Sequence, residues 1–429
     1  MAPRNIVAGI DIGTTKVCTI IAEVSDNKIT DIIGVGTSPS KGLRKGMVID
    51  IDDTVKSIEL AIVKAERMAG VEIDSVFVGI AGSHISSTNS HGVVAVTGED
   101  KEISEDDIDR VIEATKIISV PPEREIIHVL PREYIVDGCK EIKYPLGMSG
   151  VRLEAETHIV TGAVTSIQNL VKSVTRAGVD VEGIVLQPLA ASKSVLSESE
   201  KDLGVVLIDM GGGTTDIAIF KEGSICYTSI LPVGGDHVTS DIAVGMRTPM
   251  SNAERIKIQY GCAKSSLIDD DEMLEILDTS GKKKRKISRK MLGQIIEPRV
   301  DEIFSLIKQD IKKAGYEDML PAGMIVTGGA SLLEGVPELA SEKLDMPVRI
   351  GVPEGIDGFL DYLDGSIYDI GDDFSNFSED NGAIFSTGIG LVRYGAENSE
   401  VESTNNKFNE NQLIEDLFDK IRGWFSNFF

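Results

Sequence analysis

The sequence has little with which to staple, ligate or span. Its 429 residues include four cysteines, one tryptophan and five histidines, and aromatic residues make up only 5%. Cys18, Cys139, Cys226 and Cys262 lie far apart without metal-ligand spacing, which excludes a disulfide framework and a zinc knuckle; free, buried thiols in a reducing compartment are expected. His84, His91, His128, His158 and His237 show no pairing at helical spacing, so each is read as structural or surface. Positive charge is scarce. With 43 Lys and Arg against 69 Asp and Glu the formal charge is −26, and nucleic acid is excluded as a partner because phosphate contacts need clustered basic residues. No run approaches the ~20 apolar residues of a membrane-spanning helix. Met1-Ala2-Pro3-Arg4 leads into a strand without an apolar leader, so the expected compartment is the cytoplasm.

What the chain does have is a repeated phrase. Ile10-Asp11-Ile12-Gly13-Thr14-Thr15-Lys16 near the start is answered by Ile208-Asp209-Met210-Gly211-Gly212-Gly213-Thr214-Thr215-Asp216 near the middle. Each lies between two short apolar runs, so each reads as a β-hairpin with a glycine and hydroxyl turn. Glycines let backbone N–H groups approach an anion without a Cβ in the way, and threonine hydroxyls add donors, which makes a phosphate cradle. The aspartate ending the first strand, Asp11 or Asp209, repels phosphate but suits the water shell of Mg²⁺. One such turn is an ordinary hairpin. Two of them, in a chain too long for a single core, imply two similar α/β domains with a nucleotide's phosphates and metal between them.

Between and after the hairpins the apolar spacing predicts a helix over 53–68, a buried strand over 76–80, a helix over 104–118 capped by Ser104, and a helix over 166–177. Residues 84–160 break the α/β rhythm and read as an inserted α+β subdomain. A strand over 183–186 and a crossing helix over 188–196 lead to the second half. There Ser251-Asn252-Ala253-Glu254 reads as a capping box, 264–290 as a loop or hairpin with a basic run at Lys282 to Lys286, and 298–314 as a helix. Met324 to Thr327 is a strand, and its turn Gly328-Gly329-Ala330 is expected to begin another helix. Residues 355–380 form an acidic, glycine-rich insertion and 397–410 a flexible linker.

The paired loops resemble those of the actin, Hsp70 and sugar-kinase superfamily. That resemblance implies ATP and Mg²⁺ between duplicated actin-like (ribonuclease H-like) domains. Gly13, Thr14, Thr15 and Lys16 would cover the phosphates from one side, and Gly211, Gly212, Gly213, Thr214 and Thr215 from the other. Asp11 and Asp209 would orient the metal through water. Gly328, Gly329 and Ala330 would admit the ribose and α-phosphate, with Gly234 at a further turn. Glu254 and Lys257 share a helical face, which taken alone is a surface ion pair; in this sequence order they resemble the adenosine contact of the superfamily. Gln187, which begins the crossing helix, is the candidate to orient a hydrolytic water, and a glutamine implies slow turnover.

Gly34 to Gly46, His128-Val129-Leu130-Pro131-Arg132-Glu133-Tyr134 and Pro145 to Leu153 resemble the FtsA family of bacterial cell division proteins over residues 6–396. The resemblance divides the chain into a first actin-like domain (1–83, 161–201 and 383–396), the inserted subdomain (84–160), a second actin-like domain (202–240 and 318–382), a further subdomain (241–317), the linker (397–410) and a terminal helix (411–429). It implies self-association, recruitment of other division proteins, and tethering of FtsZ filaments to the inner membrane face at midcell, with Arg299 in the region that holds the FtsZ C-terminal peptide. The terminal segment supports a membrane surface independently. Leu413, Ile414, Leu417, Phe418, Ile421, Trp424, Phe425 and Phe428 step by three and four, giving one apolar face that contains the chain's only tryptophan. The charges on that segment sum to −1, so its binding would rest on hydrophobic insertion and on avidity. Competing readings are a sugar kinase, for which no catalytic aspartate stands out, an Hsp70-type chaperone, which needs a substrate domain, and a pilus-assembly actin-like ATPase of a membrane platform.

Overall fold

A computed structural model describes residues 5–98, 100–277, 284–354 and 379–398. The chain opens with β1 (Ile6–Ile12), β2 (Lys16–Ser25) and β3 (Lys28–Pro39), then β4 (Leu43–Arg44), β5 (Met47–Val48), α1 (Ile51–Ala69) and β6 (Ser75–Ile80). A second set follows: β7 (Ser86–Ala95), α2 (Glu105–Thr115), β8 (Arg124–Val136), β9 (Cys139–Ile142) and β10 (Arg152–Ala163). The chain then runs through α3 (Val164–Arg176), β11 (Asp180–Leu186), α4 (Gln187–Val195) and α5 (Glu198–Leu203). The second half holds β12 (Val205–Met210), β13 (Thr215–Lys221), β14 (Ser224–Leu231), α6 (Gly235–Gly245), α7 (Met250–Tyr260), β15 (Met273–Leu277), β16 (Lys284–Ser288), α8 (Arg289–Ala314), β17 (Met324–Thr327), α9 (Val336–Leu344), β18 (Val348–Ile350) and α10 (Ser386–Asn398).

The duplication suggested by the two phrases extends to whole sheets. The first runs β3-β2-β1-β6-β11 and the second β14-β13-β12-β17-β18. In each, three strands form an antiparallel meander and the last three run parallel. The parallel strands read as nearly continuous apolar runs because both faces are covered. On the first sheet, α1 and α3 pack against Ile10, Val17, Val76 and Val78, while α4 and α10 cover Val7, Ile20 and Phe77 on the opposite face. On the second, α6, α8 and α9 enclose Val206, Ile208, Ile217 and Val326. Helix α4 also buries Ala191 and Val195 against Val205, Leu207 and Ala218 of the second sheet, so one short helix is shared by both cores.

The residues between β6 and α3 form their own four-stranded sheet, ordered β7-β10-β8-β9, with α2 packed on it through Ile108, Val111 and Ile112. Ser104 caps α2 and Asp107 returns a bond to the Ser104 N–H, a reciprocal pair that satisfies orphan donors.

Four local expectations fail for identifiable reasons. Ser251 caps nothing: α7 starts one residue earlier, after Pro249, whose carbonyl accepts from Asn252 and Ala253, and Glu254 is held by Lys257 instead of reaching back. Helix α8 begins at Arg289 and carries Pro298 inside it, because Leu292, Ile296, Val300, Ile303, Ile307 and Ile311 form one unbroken buried stripe that outweighs the lost backbone bond. Gly329–Leu332 is a single 3₁₀ turn, and the next helix waits until Val336. Cys139 is exposed, whereas the other three thiols are buried. Within 264–290 the structure gives the hairpin of β15 and β16. The insertion at 355–378, the linker from 399 and the terminal segment lie outside the described residues.

Helices α4 and α10 pack so closely that a Cβ on Gly390 would collide with the Ala190 carbonyl. Gly390→Ala is therefore expected to destabilise the protein by about 2 kcal/mol or more, in the range of overpacked cores; a denaturant midpoint equal to wild type would refute this account of the contact.

Candidate functional site

The two phrases fold into the same device. In the first hairpin Gly13 N–H donates to Lys16 O at 2.9 Å, and in the second Gly211 N–H donates to Thr214 O at 3.0 Å, so each turn is closed by one backbone bond at its neck. The turns point at each other. A Cβ on Gly213 would lie 2.7 Å from Thr14 Oγ1, and one on Gly212 would collide with Thr15 Oγ1, so glycine is the residue that lets the lobes meet here.

The glycine turn before α6 closes behind the second loop. A Cβ on Gly234 would stand 2.5 Å from Gly211 O and 2.6 Å from Gly212 O, and Gly235 and Asp236 N–H donate to those same carbonyls, each at 2.9 Å. Lys257 Nζ reaches Gly235 O at 3.2 Å, Thr239 Oγ1 at 2.9 Å and Glu254 Oε2 at 2.8 Å, and Thr239 in turn donates to Glu254. A Cβ on Gly235 would lie 3.3 Å from both Ala330 Cβ and Lys257 Nζ, so Ala330 and Lys257, the latter carrying Glu254, meet beside this turn. Gly328, at φ +85°, is pressed against Asp209 so closely that a Cβ there would collide with the carboxylate. Gln187 Nε2 donates to Asp11 Oδ1 at 2.8 Å, tying the first turn of α4 to β1.

Four residues line the cleft without having stood out as site residues in sequence. Asp216 lies directly across from Asp209 in the β12–β13 register and is buried, with its Oδ1 lacking any hydrogen-bond partner. Its place in the second phrase was the available signal. Asp236, which follows the Gly234-Gly235 turn, abuts Gly212; Thr387 donates to Asp209 Oδ2 at 3.0 Å from the start of α10 and Thr239 bridges Lys257 and Glu254, and no local pattern marks these last two. Lys16, expected over phosphate, donates to the Ile384 carbonyl and lies 4.7 Å from the centre of the Phe385 ring. Thr215 turns its hydroxyl to Val233 O at 2.8 Å. Arg299 is not part of this assembly. It sits on α8, held by Asp241 at 2.7 Å and by Glu302. Lys284 pairs with Glu275 at 3.8 Å, and Arg285 donates to Met246 O.

The electrostatics of the cleft call for a cation. Burial pushes the Asp11 carboxyl up to about 6, with Lys16 opposing and the charge of Asp209 adding to the rise. Asp209 is likewise raised by burial, offset by the Thr387 bond and Lys16, and Asp216 is raised well above the carboxylate range by burial and by its two acidic neighbours. Carboxylates that resist ionisation because they are buried, one with an orphaned oxygen, fit a bound cation. Among the described residues no three or more His, Cys, Asp or Glu stand as direct metal ligands. A hydrated Mg²⁺ held through water fits this donor set.

Comparison with known proteins bears on this geometry. A family model described as cell division protein FtsA matches residues 206–389, and one for the SHS2 domain inserted in FtsA matches residues 82–161, the region of the four-stranded sheet. Cell division protein FtsA of Pseudomonas aeruginosa is 46% identical over 391 residues, covering 91% of this chain and 89% of that one. Among solved structures, the PilM-PilN type IV pilus biogenesis complex gives a TM-score of 0.65 at 17% identity, covering 92% of this chain and all of that one. MreB5 of Spiroplasma citri bound to ADP gives 0.53 at 14% identity, covering 92% and 99%. The architecture is thus actin-like, two RNase H-like sheets with an SHS2 insertion. The likeness to the pilus protein is one of fold.

Asp11 sets a signature in the pH dependence of folding. Between about 4 and about 6 the folded protein keeps a proton there that the unfolded chain has released, so stability contributed by this site falls as pH rises through that window. Asp11→Asn should raise the melting temperature of nucleotide-free protein at pH 7 and flatten its slope between pH 4 and 6. A profile parallel to wild type would show that the carboxylate is not strained.

Proposed function

We propose that this chain, which belongs to the FtsA family of cell division proteins, binds ATP with Mg²⁺ in the interlobe cleft and self-associates as a tether for FtsZ filaments on the inner membrane face at midcell. The observation that carries the nucleotide reading is the meeting of the two glycine–threonine turns across a cleft floored by Asp11, Asp209 and Asp216. The turns Gly13 to Thr15 and Gly211 to Thr214 would cradle the phosphates with the backbone N–H groups beyond those of Gly13 and Gly211, which close the turns. Glu254, Lys257 and Ala330 would border the adenosine. Asp11 and Asp209 would hold a hydrated Mg²⁺, which when bound neutralises phosphate charge. Gln187, fixed by Asp11, would orient the attacking water, and its weak basicity accords with slow hydrolysis.

The remaining roles follow from family membership and from the sequence. The inserted subdomain would serve self-association and contacts with other division proteins. Arg299 would hold an acidic peptide of FtsZ by exchanging Asp241 or Glu302 for it, as a guanidinium fork allows. The apolar stripe Leu413, Leu417, Phe418, Ile421, Trp424, Phe425 and Phe428 would lie in the headgroup boundary. Among the described residues no helix is long and apolar enough to cross a membrane, so attachment would be peripheral.

Two measurements test this reading. Asp209→Asn keeps the acceptor for Thr387 but removes the charge, and should weaken Mg²⁺-dependent ATP binding at least tenfold in a calorimetric titration. Equal affinity would remove Asp209 from the metal site. Full-length protein should sediment with phospholipid vesicles when polymerised, whereas a chain ending at residue 410 should stay in the supernatant. Sedimentation of the shortened chain would end the anchor assignment.

A further inference from the structure

The segment His128 to Tyr134 is distinctive in sequence, yet none of its residues enters the cleft. His128 is fully buried at the start of β8, where it pairs with Val160 of β10 inside the inserted subdomain. Its Nε2 leaves that subdomain, accepting the backbone N–H of Leu186 at 3.0 Å. Leu186 is the last residue of β11, and the next residue is Gln187. β11 is the edge strand of the first sheet, so this N–H has no strand neighbour to pair with and, buried, needs an acceptor. The ring is also steadied from the core side by Tyr394 of α10, edge-on at 6.4 Å between centres.

We propose that His128 is a positioning residue through which the inserted subdomain sets the β11–α4 turn and, with it, the placement of Gln187 in the cleft. The turn is anchored from two directions. His128 grips the backbone just before Gln187, and Asp11 grips the Gln187 side chain at 2.8 Å. Space for error is small, since Gln187 Cγ lies 3.1 Å from where a Cβ on Gly79 would be. Accepting at Nε2 requires the tautomer with the proton on Nδ1, and burial lowers the ring's basicity to about 4, so the acceptor persists at physiological pH. The same subdomain also grips the other lobe: His158, held by Asn89 of β7 at 2.7 Å, contacts Thr228 of β14 at 2.9 Å, and Ser87 donates to Thr228 O at 2.9 Å. A partner that shifts the subdomain would therefore move the Gln187 turn.

This inference rests on the reading of Gln187 as the water-orienting residue, and the test separates the two. Phosphate release by full-length protein with Mg²⁺ and ATP would be measured for Gln187→Ala, His128→Phe, His128→Gln and the double variant His128→Phe/Gln187→Ala. Phenylalanine keeps the ring contact with Tyr394 but removes the acceptor; glutamine returns an acceptor oxygen near the position of Nε2. The expected result is kcat lowered about tenfold in His128→Phe with KM for ATP within about twofold of wild type, substantial recovery in His128→Gln, and a double variant no slower than Gln187→Ala. Wild-type kcat in His128→Phe alongside a slow Gln187→Ala would overturn the role of His128 and leave Gln187 in place. Wild-type kcat in Gln187→Ala would overturn the water-orienting reading and this inference with it. Should His128→Phe not fold, ¹⁵N spectra of the native histidine decide: an Nε2-protonated ring would overturn the proposal, and an Nδ1-protonated ring with bare Nε2 would sustain it.

Discussion

Everything in this molecule is arranged around a shortage of positive charge between its lobes. Asp11, Asp209 and Asp216 face a cleft whose nearby lysine, Lys16, is committed to the Ile384 carbonyl and the Phe385 ring. Burial raises the proton affinity of all three carboxyls, and like charge adds to the rise at Asp11 and Asp216. A fold could avoid this cost with an amide or a hydroxyl at any of the three positions. Keeping three acids is costly without a counter-charge, and on the nucleotide reading proposed above a bound cation would offset that cost. The glycines thin the two turns until the loops of opposite lobes meet.

Closure needs the lobes to be connected by something stiff yet shared. Helix α4 meets that need, burying Ala190 against the first sheet and Ala191 and Val195 against the second, with α10 packed along it at glycine distance. Gln187 sits at the first turn of this helix and Thr387 at the first turn of α10, so both reach carboxylates of the site from the elements that join the halves.

The legible part of the fold was what repeats locally. Asp11 and Asp209 could be found because the same phrase occurs twice, and the Ser104 cap because its partner is three residues away. Thr387 could not, since it meets the cleft through chain remote from the loops and carries no pattern of its own. Pro298 misled the reading of α8 because a local rule about proline was weaker than a buried stripe spanning six turns. Ser251 misled for the opposite reason: the spacing to Glu254 was right for a capping box, but Lys257 and Thr239 offered that carboxylate better partners. The assignments at 413–428 rest on periodicity alone.

The position of the insertion follows from edge chemistry. A sheet edge exposes unpaired N–H and C=O groups that invite wrong partners. Each half here has such an edge facing the same side, β11 of the first sheet and β14 of the second. Splicing a subdomain between β6 and α3 places β8 against β11, and β7 and β8 against β14, so one insertion shelters both edges. The bonds at this seam come from side chains, His128 to Leu186, His158 and Ser87 to Thr228, and Ser224 to Arg132 O at 3.1 Å, with no continuous strand ladder. A ladder would have fused the lobes into one sheet and fixed the cleft. Side-chain bridges cover the edges and keep the two sheets separate.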